Sequence, residues 1–199
     1  MARHHGIAAA SNDIKLLLEN AAATDPDWAG TSVDLYQADD LQKPMEGTKP
    51  TISVYLYRVV LSSVRRDRGV RRAPDGRVFR PSIPLDLHYL VTAWSSDATT
   101  AQELLGWAIR TLEDTPIVPV GLLNAYRSGL TVFDVGETLE LVWEPLSLTD
   151  LYDIWQVSQQ HQAPSASYVA RMVQLDSEVP LDAGDLVHIR EFDYAKGPA

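Results

Sequence analysis

Pro81-Ser-Ile-Pro-Leu-Asp-Leu-His-Tyr-Leu-Val-Thr-Ala-Trp94, with Ala101-Gln-Glu-Leu-Leu-Gly-Trp-Ala-Ile-Arg-Thr-Leu-Glu-Asp-Thr-Pro116 close behind it, reads as one long strand feeding one amphipathic helix. Side chains alternate across a strand, so Ile83, Leu85, Leu87, Tyr89, Val91 and Ala93 share one face. Asp86, His88 and Thr92 share the other with the apolar Leu90 and Trp94, which marks the second face as partly covered. In the helix, Ala101, Leu104, Leu105, Ala108, Ile109 and Leu112 recur at three- and four-residue intervals and form a single apolar stripe. Thr100 and Glu103 have capping-box spacing, and Pro116 ends the helix. Gly106 inside it costs about 1 kcal/mol relative to alanine. That cost predicts close approach of another backbone, within the domain or across a subunit boundary.

Outward from this unit, Asn12–Ala23 reads as a helix with Ile14, Leu17, Leu18 and Ala21 inward, broken by Asp25-Pro26-Asp27. Thr31–Tyr36 reads as a short strand and Thr51–Leu61 as a long one, apolar or aromatic on both faces and therefore central. Downstream, Ile117–Val120 is a short extended piece, and Gly129–Val135 and Thr138–Trp143 read as strands joined at Gly136. Ser147–Ser158 is a second amphipathic helix, with Leu148, Leu151 and Trp155 inward and a capping box at Ser147/Asp150. Ser167–Leu175 returns as a strand. This order predicts an α+β fold, a mixed, mostly antiparallel sheet with helices packed on it. A single domain is expected over residues 1–178, followed by a short tail, 179–199. Within that tail Leu186–Phe192, with Leu186, His188, Arg190 and Phe192 in alternation, serves either as a private edge strand or as a strand added to a neighbour.

Composition closes several classes. With 199 residues, 45% of them hydrophobic, the chain can bury a real core without disulfides or metals. No window approaches the roughly 18 uninterrupted apolar residues that a membrane span needs, so no membrane insertion is expected. The basic Met1–Ala10 start is broken by Ser11, Asn12 and Asp13, so no secretory signal is expected either. The absence of cysteine removes thiol catalysis and thiolate metal sites and fits synthesis and assembly in the cytoplasm. A net charge of −10 argues against general nucleic-acid binding, which requires a positive surface.

Candidate chemistry is sparse. His4 and His5 sit at a terminus expected to fray and lack helical ligand spacing, and His161 and His188 have no local partners. His88 lies two residues from Asp86 on one strand face, the sole basis for a hydrolase reading. No Gly-x-Ser-x-Gly elbow supplies a nucleophile, and no nucleotide-binding loop or Asp-rich calcium loop is present. Neither catalytic activity, nor a metal, nor a cofactor is expected.

One segment is compositionally odd. Between the two long strands, Ser62–Arg80 holds Arg65, Arg66, Arg68, Arg71, Arg72, Arg77 and Arg80, seven of the 17 basic residues, with Asp75-Gly76 as a tight turn. Two readings are open: a solvated connection, or a basic contact surface for an acidic protein partner, since arginine forms bidentate carboxylate bonds and stacks on aromatics. The segment lacks aromatics for base stacking until Phe79.

Several phrases together carry a resemblance: Val54-Tyr-Leu-Tyr-Arg-Val59, Asp75-Gly76, Arg80-Pro81, Pro84-Leu-Asp-Leu-His-Tyr-Leu-Val91, Ala101-Gln-Glu-Leu-Leu-Gly106 with Leu112, and Thr115-Pro-Ile-Val118. Leu146-Ser-Leu148 leading to Trp155 and Ala166-Ser-Tyr168 leading to Val173 extend it across residues 5–178. The chain resembles the N-terminal domain of the cap, or tail-terminator, protein of extracellular phage-tail-like contractile injection systems of the virulence-cassette and antifeeding-prophage type. The resemblance implies a tail-terminator-like fold and a non-catalytic assembly protein. It would form a sixfold ring with copies of itself on the last ring of the inner tube, contact the sheath and end polymerisation. One departure is visible: relatives often carry a neutral Asn-containing segment after Tyr-Arg-Val, where this chain runs Leu61-Ser-Ser-Val-Arg-Arg-Asp-Arg-Gly-Val-Arg-Arg72. The competing function is a monomeric adaptor that uses the arginine segment to recruit an acidic protein or nucleic acid. It predicts no self-assembly and binding that weakens steeply with salt.

Overall fold

Two long strands with apolar residues on both faces belong inside a sheet, and the computed structural model places them side by side there. It describes residues 4–42, 49–63, 69–73, 75–118, 120–126, 129–134, 136–156 and 162–181. In chain order the elements are α1 (Gly6–Thr24), β1 (Ser32–Tyr36), α2 (Ala38–Gln42), β2 (Thr51–Leu61), β3 (Arg71–Arg72), β4 (Val78–Phe79) and β5 (Ile83–Trp94). They continue with α3 (Ala98–Asp114), β6 (Ile117–Val118), α4 (Val120–Leu123), β7 (Leu139–Trp143), α5 (Leu148–Gln156) and β8 (Ser165–Leu175). Six strands form one sheet in the order β1-β2-β5-β8-β7-β6, while β3 and β4 pair separately. Within the six, β1 and β2 run parallel and every other neighbour pair is antiparallel. The architecture is the α+β one expected.

Each face of the sheet has its own core. On the first, Ile52, Val54, Leu87, Tyr89, Val91, Leu141, Tyr168 and Ala170 meet Ile14, Leu17 and Leu18 of α1 and Leu104, Ala108 and Leu112 of α3. On the second, Leu90 meets Leu41 of α2 and Trp155 of α5, ringed by Tyr36, Tyr55, Trp94, Leu151 and Ile154. The helices on the second face cover only the C-terminal half of β5, which accounts for its mixture of apolar and polar residues there.

Several sequence expectations are corrected. The first helix begins at Gly6, not Asn12, with Ala9 and Ala10 fully buried. His5 is its N-cap residue, and the His5 ring lies 6.4 Å from that of Tyr126. Asp97, not Thr100, caps α3, its carboxylate accepting the Thr100 N–H at 2.7 Å and held below the usual range by that bond. A Cβ at Gly106 would meet nothing within 4 Å, so outside its own helix no backbone among the described residues crowds it. The Ser147/Asp150 capping box is present, but Leu148 is 86% exposed rather than inward. Gly129–Val135 forms no strand among its described residues: the Asn124 side chain takes the Val132 and Phe133 N–H groups and donates to Phe133 O.

One group in the first core stands apart. Asp13 on α1 is fully buried, and neither carboxylate oxygen has a hydrogen-bond partner among the described residues. Its neighbours Ser11 and Tyr89 bond one another at 2.9 Å instead. Loss of hydration pushes the Asp13 carboxyl up to about 7.

Candidate assembly surface

The three central strands outgrow the rest of the sheet. β1 pairs with β2 only from Thr51 to Tyr55, so residues 56–61 run on with their outer edge unpaired among the described residues, a length of roughly 20 Å. β5 and β8 accompany them, with Leu61 opposite Leu85 and Ile83 opposite Leu175. Beyond Ile83 the pattern continues. Phe79 of β4 bridges Pro180, Arg80 N–H donates to Val179 O at 3.1 Å, and Leu181 N–H donates to Val78 O at 2.8 Å. On its other side β4 pairs with β3. Thus β2 with β3, β5 with β4, and β8 with residues 179–181 make a three-stranded arm.

The Asp75-Gly76 turn closes the tip as expected. Gly76 has φ +85°, where an L side chain is strained, and its N–H donates to Ala73 O at 2.9 Å. Asp75 accepts the Arg77 backbone N–H and Nε, bonds that hold its carboxyl below the usual range.

The arginines divide into those that build the arm and those that face outward. Arg71 lies 4.3 Å over the buried Phe79 ring, donates Nη2 to Ser177 O at 3.0 Å and brings Nε within 3.9 Å of Asp176. Arg77 approaches the same ring at 5.5 Å, yet its side chain is 70% exposed. A cleft of about 220 Å³ lies between these groups, lined also by Asp176 and Glu178, so its charge is mixed. Arg72 and Arg80 are exposed. Arg65, Arg66 and Arg68 lie outside the described residues, as do Leu186, His188, Arg190 and Phe192. Exposed Val70 and Val179 add apolar surface to the arm.

Where the arm leaves the body, both flanking ladders shift register, between Leu56 and Arg58 against β5, and between Leu85 and Leu87 against β8. Met172 sits in the second irregularity with φ +60°, and Asp86 Oδ1 accepts its N–H at 3.0 Å. The conceivable Asp86–His88 pair is therefore not formed. His88 Nδ1 instead lies 2.7 Å from Glu144 Oε2, with the Tyr57 ring 5.9 Å away. Glu144 gave no local signal in the sequence, because its closeness to His88 depends on β7, β8 and β5 being neighbours. Asp86→Ala is expected to cost about 1–3 kcal/mol by unpartnering the Met172 N–H. Chemical denaturation should show this with assembly unchanged. Among the described residues no group of three or more His, Cys, Asp or Glu is placed to hold a metal, and no helix is long and apolar enough to cross a membrane.

Over 96% of this chain, at a TM-score of 0.62 and 16% identity, the fold is that of a chain described as the PVC sheath/tube terminator in extended state, from a cryo-EM structure of an extracellular contractile injection system. A second likeness is to the anti-feeding prophage cap (AFP tube terminating cap), with a TM-score of 0.47, 19% identity and 91% of this chain covered. The chain spans 64% of the first of those chains and 60% of the second. The chain belongs to the Pvc16 N-terminal domain family, which matches it over residues 10–189. No curated protein sequence matches it.

Proposed function

We propose that this protein is the terminator of a contractile injection system. It forms a sixfold ring on the distal end of the inner tube, contacts the sheath and ends polymerisation, with no chemistry of its own. Family membership across residues 10–189 is the observation that carries this reading. The fold adds physical support. A body with a core on each sheet face is stiff enough to stack on a ring, and the arm reaches beyond it to neighbours. A ring needs a heterologous contact that closes on itself, and an acidic chain with a basic arm has two unlike patches for one. Arg65, Arg66, Arg68, Arg72 and Arg77 form its basic contact surface, while Arg71 holds the arm's shape. The segment from residue 179 onward, with Leu186, His188, Arg190 and Phe192, adds to a neighbouring subunit or to sheath protein.

Deleting the gene should leave tubes or sheaths of uncontrolled length, or unstable particles, in electron micrographs. Normal, length-controlled particles lacking this chain would refute the proposal. Mass measurement of the purified chain, alone and mixed with tube protein, separates it from the monomeric adaptor.

A further inference from the structure

Resting on the ring reading, we infer that the outer face of α5 is the seat for a neighbouring copy's arm. Arg72, Arg77 and Arg80 of one copy lie against Asp150, Tyr152 and Asp153 of the next. Leu151, Ile154 and Trp155 turn α5 toward the second core. That leaves Leu148 86% and Tyr152 56% exposed, four residues apart and so adjacent on the helix surface, with exposed Asp150 and Asp153 beside them. No other large hydrophobic of the described residues is as exposed as Leu148.

The charge pattern says what covers this face. Residues 128–170 contain six acidic residues and no lysine or arginine. Residues 62–80 carry seven arginines against two aspartates, while the rest of the chain carries a net charge of −15. The strongest charge complement to α5 is thus on the same polypeptide. The chemistry fits too: guanidinium groups stack on a tyrosine ring and bond carboxylates in one plane. Exposed Val70 and Val179 beside the arginines give Leu148 an apolar neighbour.

A chain cannot satisfy itself in this way. The arm continues the N-terminal end of β5, whereas α5 packs on Leu90, which lies roughly 23 Å along that strand from Ile83. Two unlike patches at opposite ends of one body make a head-to-tail contact that propagates from copy to copy until it closes.

The test uses the full chain, alone and with tube protein, read by analytical ultracentrifugation and electron microscopy. Arg72→Glu with Arg80→Glu should weaken self-assembly at least tenfold, and so should Asp153→Arg. Asp153 is the residue to change because Asp150 accepts from Ser147 in the cap of α5. All three substitutions in one chain should restore rings. Wild-type assembly by either variant, or no recovery when the reversals are combined, would overturn the contact. Arm variants that form rings but no longer dock on tubes would overturn it too, assigning the arm to the tube and leaving the ring reading intact. A wild-type chain that forms no ring in either setting would instead refute the ring reading itself.

Discussion

Raising the pH from about 4 to 7 is expected to lower the stability of this protein by on the order of 4 kcal/mol through Asp13 alone, and Asp13→Asn is expected to abolish that slope. The carboxyl ionises near its ordinary value of 3.8 when the chain is unfolded and near 7 when folded. Between those values the native state holds a proton that the unfolded state has released, so stability falls as pH rises. Below about 4 both states are protonated and nothing is lost; above about 7 both are ionised and the loss is complete. Exposed Asp75, Asp97 and Asp114 are shifted down and contribute a slope of opposite sign, which wild type and variant share. The difference between their urea-denaturation curves across pH 4–8 therefore isolates Asp13. Parallel curves would show that the buried carboxylate is solvated after all.

Trp155→Ala is expected to cost about 3–5 kcal/mol and to release α5 from the sheet. Trp155 is 3% exposed and meets Trp94 edge-on at 5.9 Å. Among the described residues it shares the second core with two other buried ones, Leu41 and Leu90, so little remains there to hold the helix. Leu104→Ala in the first core is the matched control, with an expected cost of about 2–5 kcal/mol but α5 left in place. Denaturation measures both losses, and limited proteolysis reports whether α5 has detached. Cleavage within residues 148–156 should accelerate only in the Trp155 variant. If both variants resist equally, the second core does not anchor the helix.

The fold was legible wherever burial follows a period. β2 ends where the alternation of Thr51–Leu61 ends, and the stripe from Ala101 to Leu112 faces the first core. Failures occurred where a side chain replaced regular backbone pairing. Gly129–Val135 reads as a strand because Leu130, Val132 and Phe133 are apolar, but Asn124 supplies the bonds a neighbouring strand would have made. Leu148 continued the inward stripe of α5 in sequence, yet that helix overhangs its core at the first turn. The assembly surface was legible only as composition. The arginines and the Asp75-Gly76 turn stand out, but the bonds of Arg71 to Ser177 and Asp176 depend on where β8 emerges, and the pairing of His88 with Glu144, just past β7, depends on β7 lying beside β8. Contacts between strands far apart in sequence have no local signature.

The outer strand of the arm stops at Leu61 and resumes at Arg71, and each part is held in register by its own partners in β5 and β4. Between the two in sequence lie residues 62–70. Lengthening such a stretch is cheap, since each doubling costs only about 0.6 kcal/mol in closure entropy. Evolution can therefore retailor it freely, trading arginines for neutral residues or changing its size, while the scaffold that presents it stays constant. Specificity among rival particles in one cell would then reside in a module that can be exchanged without touching the frame.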